Sequence, residues 1–335
     1  MTIALWKSKY AGEDIVEIYR GPSVKKYFTI DWMLHDRCTY DCSYCPPANK
    51  SGTDSWLDLD KLDEFCDSVE AYVDRVDPGA TIRALFTGGE PTVWKGFTTL
   101  IDRLNKRGWV MSIVSNGSRS TRWWEENAAK FTEIHLSYHT EGVVDDEFME
   151  KVLICERYVA TSVNLMLNPH PELFVKAVNF GNRLKTETKY VAITQRQIQY
   201  NFGLQEISVP FYTSEQRKII NELTDHYPVE YTTNYTILSN DYKMKTADGR
   251  EMHLHPIELI NYKQANFENW MCSVGLESIF IDARGDVIRG TCRVGEVMGN
   301  IIDPANIKWI TEPIRCTLNW CSCVTDIRNT KIKNI

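Results

Sequence analysis

From residue 27 onward short apolar runs alternate with amphipathic stretches of helical period, a pattern that predicts a parallel α/β sheet or barrel. Six strands are expected at about 28–34, 82–87, 110–115, 133–138, 161–167 and 190–196. Helices are expected between them, near 59–76, 95–107, 121–130, 144–158 and 171–185. The first helix carries Leu62, Phe65, Cys66, Val69, Tyr72, Val73 and Val76 on one face, the stripe of a helix packed on a sheet. Thr213 to Gln216 reads as a capping box that opens a further helix.

The strands alternate with period two. Phe28, Ile30, Trp32 and Leu34 oppose Thr29, Asp31, Met33 and His35; Ile134 and Leu136 oppose His135, Ser137 and His139. Val163, Leu165 and Leu167 oppose Asn164, Met166 and Asn168, and Val191 and Ile193 oppose Thr194 and Arg196. In a barrel wrapped by helices the apolar set faces the helices and the polar set faces the lumen. After about residue 230 the pattern becomes hairpin-like, around the turn ADGR at 247–250 and again across 277–290. The expected division is an N-terminal extension over 1–26, a barrel with its following helix over 27–230, and a second domain over 231–335.

At 335 residues the chain is long enough for that division, and its 43% hydrophobic and 25% charged composition is globular. The net charge of −7 lacks long single-sign blocks, so bulk nucleic-acid or anionic-lipid binding is not expected. No apolar run approaches the roughly 18 residues of a membrane span, and Met1 to Gly12 lacks a signal-peptide core, which reads as cytoplasmic. In that setting ten cysteines point to metal or redox work rather than a disulfide framework.

Cys38, Cys42 and Cys45 form a CxxxCxxC cluster in the loop that leaves the first strand. Three thiolates ligate three irons of a 4Fe-4S cube and leave the fourth iron open. Structural zinc is the alternative, and it prefers four protein ligands in two close pairs. Cys66 and Cys155 fall on apolar helix faces and read as buried small hydrophobes. His253 and His255 read as surface groups.

CTYDCSYC over 38–45, followed at 86–92 by FTGGEPT after the second strand, resembles the radical SAM superfamily. The likeness covers roughly residues 27–200 and implies a partial (β/α)6 TIM-like barrel, class α/β. It also implies S-adenosylmethionine on the open iron of a 4Fe-4S cluster, reductive cleavage to a 5′-deoxyadenosyl radical, and hydrogen abstraction from substrate. By motif, Cys38, Cys42 and Cys45 would be the iron ligands and Tyr44 would lie near the adenine through its backbone. Gly88, Gly89, Glu90 and Pro91 would form the turn that receives the methionine amino group. Ser115 and Asn116 would lie near the methionine and Ser137 near the ribose. Asn164 would line the cofactor cavity, and Arg196 would hold the cofactor carboxylate or an anionic substrate.

The tail, with Cys272, Cys292, Cys316, Cys321 and Cys323, is similar to the SPASM/twitch subgroup. This implies a small C-terminal α+β domain covering the barrel, with one auxiliary 4Fe-4S cluster; a zinc knuckle is the alternative. The preferred ligands are Cys272, Cys292, Cys321 and Cys323, because residues two apart in an extended segment point the same way, with Cys316 the spare. The activity implied is oxidation, cross-linking or epimerisation of a peptide, with a flavodoxin- or ferredoxin-like reductant. Only some 26 residues precede the first strand, which favours the alternative substrate, a sugar- or aminocyclitol-type small molecule. The third reading is a non-catalytic zinc or iron–sulfur interaction module.

Overall fold

The computed structural model describes residues 10, 13–21, 25–45, 50, 58–198, 212–222, 242–254, 256–261 and 264–333. Among the described residues, six parallel strands run in chain order: β2 (Tyr27–Met33), β3 (Thr81–Thr87), β4 (Val110–Ser115), β5 (Glu133–Tyr138), β6 (Ala160–Leu167) and β7 (Ala192–Gln197). Helices α1 (Leu59–Val76), α2 (Phe97–Lys106), α3 (Thr121–Asn127), α4 (Asp145–Glu156) and α5 (Pro171–Glu187) connect them. This is the expected α/β order of a partial barrel; among the described residues the sheet is open, not closed on itself.

The alternation in sequence becomes two environments. Phe28, Ile30 and Trp32 are buried against α1, with Phe28 edge-on to Tyr72 at 5.9 Å and Trp32 edge-on to Phe65 at 5.8 Å. Val163, Leu165, Leu167, Val191 and Ile193 join the same core. Helix α1 starts where Asp58 accepts from the backbone N–H of Asp60, and it buries Leu62, Phe65, Cys66, Val69, Tyr72 and Val73. Cys155 also packs in this core. The capping box forms at α6 (Ser214–Glu222): Thr213 N–H donates to the Gln216 side chain at 2.9 Å, and Gln216 N–H donates to Thr213 Oγ1 at 3.2 Å.

The carboxyl-terminal hairpin of β11 (Ser278–Ile281) and β12 (Asp286–Ile288) continues the barrel sheet. β11 lies parallel to β2, pairing Ser278 with Thr29 and Ile281 with Trp32, and all its residues are buried. With β13 (Gly299–Asn300) the sheet has nine strands among the described residues. A second sheet of six strands runs in the order β14 (Ile314–Arg315), β10 (Met271–Cys272), β15 (Lys331–Ile332), β1 (Ile15–Arg20), β8 (Tyr242–Thr246), β9 (Glu251–His253). The expected boundary at 230 lies outside the described residues, as does His255, and His253 is exposed.

The two ends of the chain thus meet in one sheet, Glu17 facing Ile332 across β1 and β15. The tail also clasps the barrel from outside: Trp309 stacks on Tyr72 at 4.3 Å and donates from Nε1 to Ser68 Oγ at 2.9 Å. Short helices α7 (Pro256–Asn261) and α8 (Val324–Ile327) complete the described α-helices. No described helix is long and apolar enough to cross a membrane.

Candidate active site

The cysteine loop leaves β2 and is held against the turn that leaves β3. Gly89 N–H donates to the His35 carbonyl at 2.9 Å and Glu90 N–H to the Arg37 carbonyl at 2.7 Å. The two backbones approach so closely that a Cβ on Gly88 would stand 2.4 Å from the His35 oxygen, and one on Gly89 would stand 1.9 Å from the Arg37 oxygen. Gly88 also adopts φ +131°, a region that disfavours side chains. The paired glycines therefore register the two motifs against each other, one residue before Cys38.

Glu90 is fully buried, and its carboxylate accepts from Thr92 N–H, Thr92 Oγ1, Ser115 Oγ and Asn116 N–H, at 3.2, 2.6, 2.8 and 2.7 Å. Burial raises its pKa, and these four donors work against that rise. Pro91 opens the 3-10 turn that Glu90 caps. Asn116 in turn donates from Nδ2 to Cys38 Sγ at 3.4 Å and to Thr39 Oγ1 at 3.0 Å. Tyr40 N–H donates to the same sulfur at 3.4 Å. Two N–H donors aimed at one sulfur suit a thiolate ligand, which is the form a metal binds.

A second set of contacts, not singled out in the sequence, holds the far side of the loop. Glu141 accepts from Ser43 N–H and Ser43 Oγ, both at 2.7 Å, and from Asn168 Nδ2 at 2.6 Å. Tyr44 stacks on His139, its hydroxyl 2.6 Å from Nδ1. Burial lowers the His139 pKa to about 4, so the ring is neutral at neutral pH. Cys42 and Tyr44 are buried with Ile198, and Met166 and Cys45 pack beside them. Burial pushes the Cys42 thiol up to about 11 and those of Cys38 and Cys45 upward.

Below the loop the lumen is polar. Thr194 Oγ1 and Arg196 Nε both donate to Asn164 Oδ1, at 2.6 and 3.1 Å, and Ser137 lies beside Asn164 in register. Arg83 and Glu133 form a buried ion pair at 2.9 Å, with Ser112 donated to by Arg83 at 3.0 Å. His135 contacts Ser162 at 2.7 Å, a satisfied polar group. Asp31 accepts from Thr87 at 3.0 Å, and burial raises its pKa to about 6. Ser115, in contrast, turns to Glu90 on the helix side of its strand rather than into the lumen.

Residues 32–168 match the family model described as the radical SAM superfamily. The chain contains a radical SAM domain. Among solved structures it is similar to Streptococcus suis SuiB bound to precursor peptide SuiA, at 14% identity over 86% of this chain and 65% of that one, with a TM-score of 0.52. It is similar to the same protein bound to S-adenosylmethionine at 14% identity, over 83% and 64%, with a TM-score of 0.51. Native anSMEcpe with bound AdoMet is a further likeness, at 14% identity over 82% and 78%, with a TM-score of 0.46. The chain spans less than two thirds of the length of SuiB, 65% and 64%, and at these identities the likeness is one of fold.

Beside the radical SAM domain the tail gathers four thiols. Cys272, Cys292, Cys316 and Cys321 line one cavity, with Asp326 and Lys331. Backbone contacts fix each position: Cys316 N–H donates to the Trp270 carbonyl and Cys321 N–H to the Ala265 carbonyl, both at 2.8 Å. Cys292 N–H and Thr291 Oγ1 both donate to Asp326 Oδ2 at 2.7 Å. Cys323 does not line this cavity; its thiol lies 3.9 Å from Asp31 Oδ2, on the side of the radical SAM domain. The grouping differs from the preferred set of the sequence: Cys323 keeps an extended backbone at the N-cap of α8, but its thiol meets Asp31 instead of the cavity. Among the described residues no three His, Cys, Asp or Glu groups are arranged for a single metal ion, whereas four thiols around one cavity fit the ligand set of a 4Fe-4S cluster.

Proposed function

We propose that the chain is a radical SAM enzyme that removes hydrogen from an unactivated C–H bond. Cys38, Cys42 and Cys45 would hold a 4Fe-4S cluster with one iron free for S-adenosylmethionine, and that group would supply reductive cleavage of the cofactor to a 5′-deoxyadenosyl radical. The observation that carries this reading is the single hydrogen-bonded unit of Glu90, Asn116 and Cys38 inside residues 32–168. Glu90 fixes the turn after β4, Asn116 orients the Cys38 sulfur, and Glu141 with Asn168 pins the loop between Cys42 and Tyr44. Arg196, held by Asn164, offers a cation to the cofactor carboxylate or an anionic substrate. Arg83 and Glu133 fill the lumen beneath with a paired, dehydrated floor.

Residues 27–230 serve in this reading as the catalytic barrel and 231–335 as a twitch-like auxiliary domain, with 1–26 as an N-terminal extension. A second 4Fe-4S cluster is assigned to Cys272, Cys292, Cys316 and Cys321, leaving Cys323 as the spare thiol. The substrate is proposed to be a peptide: SuiB, similar in fold, was crystallised with its precursor peptide. Electrons would come from a flavodoxin- or ferredoxin-like protein.

Anaerobic reconstitution followed by iron analysis and EPR tests the assignment. Two 4Fe-4S clusters are expected, one of which changes its signal on adding S-adenosylmethionine. A signal indifferent to the cofactor would overturn it. Deuterium transfer into 5′-deoxyadenosine from deuterated precursor peptides, against deuterated aminocyclitols, then separates the substrate classes.

A further inference from the structure

The cavity of four thiols also contains a buried charge. Lys331 lies on β15, paired in register with Cys272 of β10, and is 2% exposed. Its ammonium donates to the backbone carbonyls of Asp326, of Ile327 at 3.2 Å and of Asn329 at 3.1 Å. Three N–H donors meet three oxygen acceptors, the arrangement of a cation rather than a neutral amine. The Phe267 ring, 5.3 Å from the nitrogen, covers a further side.

Among the described residues this ammonium forms no ion pair with a carboxylate. The nearby Asp326 carboxylate accepts from Thr291 and from the backbone of Cys292, while only its main-chain oxygen meets Lys331. A buried charge without an ionic partner is costly. The titratable groups that share the cavity with it are Asp326, whose carboxylate is held by Thr291 and Cys292, and the thiols of Cys272, Cys292, Cys316 and Cys321. Four thiolates around a four-iron core form an anion, and each reduction adds a further negative charge. A fixed cation lining the same cavity, in an interior that screens poorly, stabilises the reduced form more than the oxidised one.

We propose that Lys331 is the built-in counter-charge of the auxiliary cluster and raises its reduction potential, the direction that favours its accepting an electron. The proposal rests on the four-thiol cluster assignment above. Lys331 acts as a positioning residue for charge and does not touch substrate in this role.

The test is a potentiometric titration, followed by EPR, of the reconstituted full chain and of Lys331→Gln, Lys331→Met and Lys331→Arg. The two neutral variants are expected to lower the auxiliary midpoint enough to change the reduced-to-oxidised ratio at least tenfold at fixed potential, about 59 mV for a one-electron couple. Lys331→Arg is expected to restore it, and the SAM-binding cluster is expected to keep its midpoint in every variant. Unchanged auxiliary midpoints in fully loaded neutral variants would overturn the proposal. If the neutral variants fail to load the cluster but Lys331→Arg loads it, the charge requirement is upheld; failure of all three would make Lys331 structural and overturn it. Absence of a second cluster in the wild-type protein would instead overturn the cluster assignment itself.

Discussion

Asn116 donates its side-chain N–H to the sulfur of Cys38 at 3.4 Å, while its backbone N–H is held by Glu90 at 2.7 Å. The turn after one strand therefore acts directly on a cluster ligand delivered by another. Hydrogen bonds to cluster sulfurs stabilise the more negative, reduced state. Asn116→Ala should retain iron at Cys38, Cys42 and Cys45 but lower the midpoint of that cluster, measured by redox titration with EPR.

Glu90→Gln should destabilise the fold by about 1–3 kcal/mol, because a carboxylate that accepts four donors is replaced by an amide whose NH2 faces other donors. Chemical denaturation of the apo-protein measures this. A weaker S-adenosylmethionine affinity should accompany it, read by equilibrium dialysis under anaerobic conditions.

Much of this site is legible in the sequence because each clue is local. The period-two pattern separates Asn164, Thr194 and Arg196 from Val163 and Ile193, and the paired glycines at 88 and 89 mark a close backbone approach. The clamp by Glu141 was hidden, since an exposed acid after a strand looks like any solvated residue until Ser43 and Asn168 are folded onto it. The join of β1 to β8 and β15 depends on pairs more than 200 residues apart, such as Ile18 with Met244, which no local pattern encodes. The grouping of Cys316 rather than Cys323 with the other thiols is not a local property either: Cys323 is extended, yet its thiol lies against Asp31 of a distant strand while Cys316 lines the cavity of Cys272 and Cys292.

Cys316→Ala should abolish the second cluster, whereas Cys323→Ala should leave it intact. Iron content and Mössbauer spectra decide between them. Retention without Cys316 together with loss without Cys323 would reverse the assignment made from the shared cavity.

Asp31 is 6% exposed, and burial raises its pKa from 3.8 to about 6. The folded chain therefore keeps a proton that the unfolded chain releases. The stability this contributes is full below about pH 4 and is lost as the pH rises through 6. Asp31→Asn should remove the loss, making the variant more stable than wild type by about 3 kcal/mol near pH 8 and equal to it near pH 4. Denaturant titrations at the two pH values measure the difference; a constant gap between the proteins would show that Asp31 is not titrating as described.

Arg196→Ala should weaken cofactor or substrate binding with modest loss of stability. Ile193→Ala, at a core position 2% exposed, should cost about 2–5 kcal/mol and leave binding by the remaining folded protein unchanged.

Formation of 5′-deoxyadenosine is the most direct measure of the proposed chemistry. The reconstituted chain, reduced anaerobically and given S-adenosylmethionine, should release it. The triple variant Cys38→Ala, Cys42→Ala, Cys45→Ala should release none while keeping the iron held by Cys272, Cys292, Cys316 and Cys321. Continued cleavage of S-adenosylmethionine by that triple variant, or none by the fully loaded wild-type chain, would contradict the assignment.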